Sequence, residues 1–436
     1  MQDSLGNPVT VSGERGLAAV NAFVDGFISC ESRVADVLAG ADDPGPIVQA
    51  YCGAVHLFAE SADGPGAAAP FIDRALAGVA AVTPREARFV QAVAAWHRGE
   101  VDAAIELHHL QAREHPRDLA SLKLGQYHCF NIGDMDGMLR MALAAHPAAD
   151  DVPYLHGMTA FGYEQCNRLA EAEASARRAI GMLRKEPWAH HALGHVLLTQ
   201  GRLAEGLAFM RSVSDTWTGL NSFMVTHNWW HLALFLIDLG HHAEALEVYD
   251  RHAWGVAKDY SQDQIGAVSL LARLELAGID VGNRWADVAE HLRARTDDHV
   301  LPFLDLQYLY GLARAGLPEA DALLAGIEAH ARDPKTLHVE AWKQVCVPAA
   351  HGLRAFVAGS YLEAADRLGP TLPLMVQIGG SHAQRDLFDQ IYLEALLRAG
   401  TDESLATARA VLGPLRDAQP ESLRIRAKSE AAGLAV

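Results

Sequence analysis

Two histidine pairs, His191/His195 and His227/His231, carry the clearest chemical signal in the chain of 436 residues. Residues four apart on a helix share a face with Cβ atoms about 6 Å apart, so each pair can offer two imidazole nitrogens to one ion. A zinc-like divalent site needs three or four converging nitrogen or oxygen ligands, and Asp305, His156 and His382 are the candidates to complete it. Neither pair is an H-E-x-x-H. Ala192-Leu193-Gly194 and Asn228-Trp229-Trp230 fill the gaps and supply no glutamate base. Without a metal, His195, His231 or His382 could act as general acid or base, because imidazole titrates at about 6.5.

A second constellation is the polar block Ser381 to Asp386. Arg385 offers a planar fork suited to a carboxylate or phosphate, with Asp386 beside it and His382 one turn away. Trp188, Trp229 and Trp230 could wall an aromatic or apolar body, which together describes a site for a small anionic ligand. Plainer readings stand beside these: tryptophan-flanked histidines pack in tight interiors, and an Arg-Asp neighbour pair at a helix start is an ordinary ion pair. Nucleophile elbows of the G-x-S-x-G type and phosphate-cradling P-loops are missing, which counts against covalent catalysis and nucleotide hydrolysis. Whether anything turns over is left open by the residues.

The elements that must position these side chains are legible from a repeat. Helix-breaking residues stand at Gly99, Gly133, Asn167 and Gly201, each 34 residues after the last, which is the tetratricopeptide period. Five positions on stand Ala104, Met138, Ala172 and Gly206, mostly small, where two helices of a hairpin approach closely; Gly137 is expected to relieve the crowding at Met138. The turn recurs at wider spacing at Gly240, Gly278, Gly316, Gly359 and Gly400, with Ala245 and Ala364 following two of them. Apolar residues keep a 3.6-residue period, as in Trp229, Leu232, Ala233 and Leu236. Thr83 to Glu86, Ser261 to Gln264 and Ser381 to Gln384 read as capping boxes. The expectation is an all-α solenoid of about nine to eleven helix hairpins, each burying its apolar face against its neighbours. It divides into an N-terminal helical cap over 1–83, regular repeats over 84–256 and stretched, irregular hairpins over 257–436.

Over nearly its whole length the chain resembles the tetratricopeptide repeat protein 38 family. The resemblance rests on Asp3 with Leu5-Gly6-Asn7-Pro8, on Gly157-Met158 with Phe161-Gly162 and Glu164, on the block His227 to Phe235, and on Gly379 to Asp386. It implies a tetratricopeptide-like superhelix, usually a binding fold, and no particular reaction. Family members often carry His near Gln126 and Gln307, where this chain has amides. The histidine pairs lie roughly 110–170° around their helices from the hairpin seam. In the fold that the chain resembles, that face lines the inner, concave surface, so the four rings are expected in one groove, with Glu164 among its ligand-binding residues.

Composition narrows the partners. With 36 Lys plus Arg against 54 Asp plus Glu the formal charge is −18, and no basic run exists to track phosphates, so nucleic acid is not an expected partner. No apolar stretch approaches the roughly 20 residues that span a bilayer, and the start lacks a secretory pattern, so a cytoplasmic protein without membrane attachment is expected. Five widely spaced cysteines argue for reduced structural thiols. Two functions remain: a His/Trp/Arg pocket for a small anionic molecule, with a divalent metal and acid–base chemistry as options, or a scaffold holding a partner's peptide in the same groove. Leu- and Ala-rich helices such as Leu405 to Leu415 make a homo-oligomer an option.

Overall fold

The turn residues singled out by the repeat all adopt the left-handed conformation in the computed structural model, which describes residues 1–434. Gly99, Gly133, Gly201, Gly240, Gly278, Gly316, Gly359 and Gly400 have φ between 64° and 83°, and Asn167 has φ 57°. Glycine and asparagine tolerate this region, where other side chains are strained, and it lets a helix stop and reverse in few residues. The close-approach positions five residues on are fully buried: Ala104, Ala172, Ala245 and Ala364 at 0% exposure and Met138 at 1%. Gly137 has a different job from the one expected. A Cβ there would lie 2.0 Å from Asp134 Oδ2, whose carboxylate caps the helix by accepting from Gly137 N, so the glycine admits the cap and not Met138.

The fold is all-α, of the tetratricopeptide-like solenoid class. Among the described residues the only β pairing is two isolated bridges. The helices are α1 (Glu14–Ser29), α2 (Pro46–Leu57), α3 (Gly64–Gly78), then the hairpins α4/α5 (Pro84–His97, Val101–Glu114), α6/α7 (Leu119–Ile132, Met135–Ala149) and α8/α9 (Pro153–Gln165, Leu169–Met182). They continue as α10/α11 (Pro187–Thr199, Leu203–Val213), α12/α13 (Ser222–Asp238, His242–Val248), α14/α15 (Ser261–Leu276, Arg284–Leu292) and α16/α17 (Pro302–Arg314, Glu319–Arg332). The short α18 (Val339–Ala341) leads into α19/α20 (Val347–Val357, Tyr361–Leu368), followed by α21/α22 (His382–Ala399, Asp402–Ala418) and α23 (Leu423–Ala431).

The chain forms two compact units, residues 1–193 with 216–224, and residues 194–215 with those from 225 onward. In the first, Tyr51 of α2 stacks on Phe23 of α1 at 4.0 Å and meets Phe89 of α4 edge-on at 4.9 Å, which joins the N-terminal helices to the first hairpin. The capping box at Thr83 and Glu86 is formed, and Glu86 also takes the Thr10 amide (2.7 Å) and hydroxyl (2.9 Å), pinning the N-terminal segment. The box at Ser381 and Gln384 is formed as well. The one read at Ser261 is not: the helix begins one residue earlier than that reading allows, with Tyr260 at the cap, and Gln264 Nε2 donates instead to the Lys258 carbonyl (2.9 Å).

In the second unit the first helices of the hairpins are packed on nearly every side. All residues of α16 from Pro302 to Ala313 are buried, and α14 is buried over most of its length, as expected of helices enclosed by others. Helix α14 packs against both α16 and α21, and α16 against α19, so these inner helices adjoin in a closed series. The last helices return to the first ones of the unit. Glu421 accepts from Ala204 N (3.1 Å), Ser422 Oγ and Arg424 Nε reach Asp238 (2.6 and 2.8 Å), and the Leu423 side chain lies against Gly240. The unit thus closes upon itself. No helix of the described residues is long and apolar enough to cross a membrane, and all five cysteines are free.

Candidate functional site

Helices α10 and α12 carry the histidine pairs, and both are sequences without a polar outer face. Their histidines are 0–7% exposed, so these rings are enclosed within the fold and do not line an open groove. In the second unit the His195 and His231 rings are 4.4 Å apart, and His227 and His231 are 4.7 Å apart at 86° with Nε2 to Nε2 at 3.3 Å. Helix α10 is unbroken, so His191 stands one helical turn before His195. Each of the four rings offers one nitrogen, and these nitrogens lie within 4.8 Å of one another. The spacing signal in the sequence therefore corresponds to a real convergence.

Burial, with the neighbouring His195, pushes the His227 imidazole down to about 3, so that ring is neutral at any ordinary pH. A neutral imidazole keeps a lone pair for a metal ion. Four ring nitrogens within 4.8 Å of one another are a donor set suited to an ion of the zinc, copper, nickel or iron(II) kind.

The wall continues from this cluster through Trp230. Its indole stacks on His227 at 5.2 Å and 8°, meets His231 edge-on at 4.8 Å, and receives the Arg273 guanidinium over its face at 5.4 Å. Arg273 is fully buried on α14. It donates to Asp386 Oδ2 (2.8 Å) and to the Ala383 carbonyl (2.6 Å), so the polar block at the start of α21 is tied to the histidine cluster through one aromatic ring and one arginine. Burial lowers the Arg273 guanidinium, opposed by Asp386. Burial raises the Asp386 carboxyl, but Arg273 and Arg424 together hold it below its ordinary value. One turn on, Asp389 is pushed up to about 7 by burial and by Asp386, against the pull of Arg385. Asp386 keeps 49% of its side-chain surface open and Asp389 is exposed, yet both feel close protein surroundings.

Of the remaining residues named from the sequence, Trp188 packs on a histidine of the cluster and the others go elsewhere. Asp305 is not among the ligand atoms of the cluster. Its carboxylate holds His299 Nδ1 at 2.6 Å, and its helix α16 gives it no surface exposure. Trp229 stacks on His252 at 4.0 Å, away from Trp230, because adjacent positions on a helix point about 100° apart. In the first unit Trp188 packs on His191 (4.7 Å) and Phe161 (5.0 Å), beneath the Lys123 ammonium. There too His156 donates to the Asp150 carbonyl (2.9 Å), and Glu164 is buried beside the Gln165 amide. Arg385 is buried and donates to the Gly380 carbonyl. His382 opens α21 and is partly exposed. Gln126 is structural, its amide bonded to the Met138 carbonyl (3.0 Å).

Arg273 and Asp389 escaped the sequence reading. For Arg273 the signal was available: a single guanidinium inside the apolar run Ser269 to Leu276 requires a buried partner. Asp389 lies three residues past Asp386 and so on its helix face.

The stacked helix hairpins define the chain's fold as tetratricopeptide-like. The tetratricopeptide repeat family signature matches residues 85–107, 187–212 and 229–251, which includes both histidine-bearing helices in part. Among solved structures the chain is similar to human IFIT1, solved as a dimer with PPP-AAAA, at 12% identity over 95% of this chain and 93% of that one, with a TM-score of 0.45.

Proposed function

We propose that this chain binds a small anionic molecule at a divalent transition-metal ion held by His191, His195, His227 and His231, as a member of the tetratricopeptide repeat protein 38 family. The observation that carries the reading is the convergence of four enclosed ring nitrogens within 4.8 Å. Four neutral imidazoles leave the ion its full double charge, which favours an anion as the next ligand. The Arg273–Asp386 pair supplies polar surroundings for it, and Trp230 an aromatic wall. His195 and His231 then serve as ligands, since a lone pair given to a metal cannot also take a proton; His382 and Asp389 are left as the acid–base candidates.

The closure of the second unit upon itself supports a compact ligand over an extended peptide, which needs a groove open at its ends. Metal analysis of the purified protein, before and after dialysis against a chelator, tests the reading. The wild type is expected to hold one zinc-class ion per chain, and His191→Ala/His231→Ala to hold none. A metal-free wild type whose melting midpoint does not move on adding zinc, nickel or copper overturns it and leaves the scaffold for a partner protein as the function.

A further inference from the structure

We infer that His108 and His128, in the first unit, form a second and chemically different metal site, one that takes a soft monovalent ion, Cu(I). His108 of α5 and His128 of α6 are 0% and 2% exposed, and the Nε2 atom of each is buried without a hydrogen-bond partner. Two such orphaned acceptors or donors side by side are costly in a protein interior unless something satisfies them. Their ring centroids are 5.7 Å apart with planes 32° from parallel. Two imidazoles sharing one ion about 2 Å from each nitrogen have centroids about 6 Å apart.

The surroundings select the ion. Ser121 Oγ bonds His108 Nδ1 at 2.7 Å, which fixes the ring and leaves Nε2 as its only remaining nitrogen. Trp96 meets His128 edge-on at 5.0 Å, Tyr127 at 5.5 Å, and Phe89 meets His108 at 6.1 Å, so the pair sits in an aromatic box. The carboxylate that acts on His108, Asp118, is committed to Arg85 (2.9 Å) and to the Gln111 amide (2.8 Å). Nothing there neutralises a double charge, whereas a single positive charge in an aromatic box is tolerable. Gly125 adds a soft donor nearby: a Cβ on it would lie 2.4 Å from Met141 Sδ and 2.6 Å from His108 Cβ, so the missing side chain lets the thioether lie beside the histidine. Two imidazole nitrogens are by themselves a ligand set for Cu(I), which accepts two- or three-fold coordination, and not for zinc, which requires four ligands. Burial pushes His108 down to about 3, which keeps its ring free of protons.

The test uses the full chain preloaded with zinc and then given Cu(I) under anaerobic, reducing conditions in competition with a chromophoric Cu(I) chelator. Wild type is expected to retain one copper per chain, which His108→Phe and His128→Phe lose and His195→Ala keeps. X-ray absorption of the wild-type copper is expected to show two or three ligands, a readout that stands even where a variant folds poorly. No retained copper in the wild type, as for a water bridging the two nitrogens, overturns the proposal. So does copper that both phenylalanine variants keep, or a four-nitrogen environment.

Discussion

His227 and His299 belong to the same unit and are the same side chain under opposite fields. His227 lies among His231, Trp230 and His195, and burial holds it neutral. His299 donates to the fully buried Asp305, and although burial opposes it, that carboxylate raises its affinity for a proton. A histidine facing a carboxylate is drawn toward the charged form and spent on structure; histidines facing one another gain nothing from a charge and present ring nitrogens to one another. The distinction lies in the partner and cannot be read from the residue, which is why spacing could select Asp305 as a ligand while the fold gave it to His299.

The sharpest way to break the comparison is to remove one ring from each place. His231→Ala, which deletes the ring touching both His195 and His227, is expected to abolish metal retention, whereas His299→Ala leaves it intact; equal losses by elemental analysis would erase the contrast. Next in size, Asp305→Ala strands His299 in its left-handed loop position (φ 44°) and is expected to cost about 3 kcal/mol in denaturant unfolding. The sign with pH follows from the raised His299 value. Its stabilisation is lost as pH rises through the folded value, and Asp305, pushed up to about 6 by burial, acts in the same direction from about 4 upward, so the wild-type midpoint should fall as pH rises through both values. Asp305→Asn should flatten that fall and lower the His299 titration seen by NMR.

Smaller effects test the scaffold beneath the cluster. Gly206→Ala would place a Cβ 2.2 Å from the Phe235 ring on α12, and the overpacking is expected to cost about 2 kcal/mol and loosen metal retention. Gly240→Ala, at φ 76°, should cost only about 1 kcal/mol in thermal unfolding and leave the metal in place.

The fold was largely legible because its turns are written in residue types. A left-handed φ selects glycine or asparagine at each of the nine positions from Gly99 to Gly400, and the helix crossing takes alanine five residues later at four of them. Half of the candidate site was legible for a similar reason: four-residue spacing fixes a shared helix face. The other half was not. The Arg273 bridge joins residues 113 apart in sequence, and nothing local to α14 or α21 announces the pairing. Gly137 and Ser261 show the same limit on a small scale, since a small residue or a Ser-x-x-Gln string has several uses, and the neighbours decide among them.

The contacts of Asp238 with Ser422 and of Ala204 with Glu421 span 184 and 217 residues of chain. During synthesis the early helices of the second unit therefore wait, for many seconds at ordinary ribosome speeds, before the segment that secures them has left the tunnel. Repeat arrays commonly grow by adding one module to the next, but a loop closed over such a length cannot mature in that way. The gathering of the second unit's imidazoles is thus a late event, and α12 stays without its final neighbours in the interval.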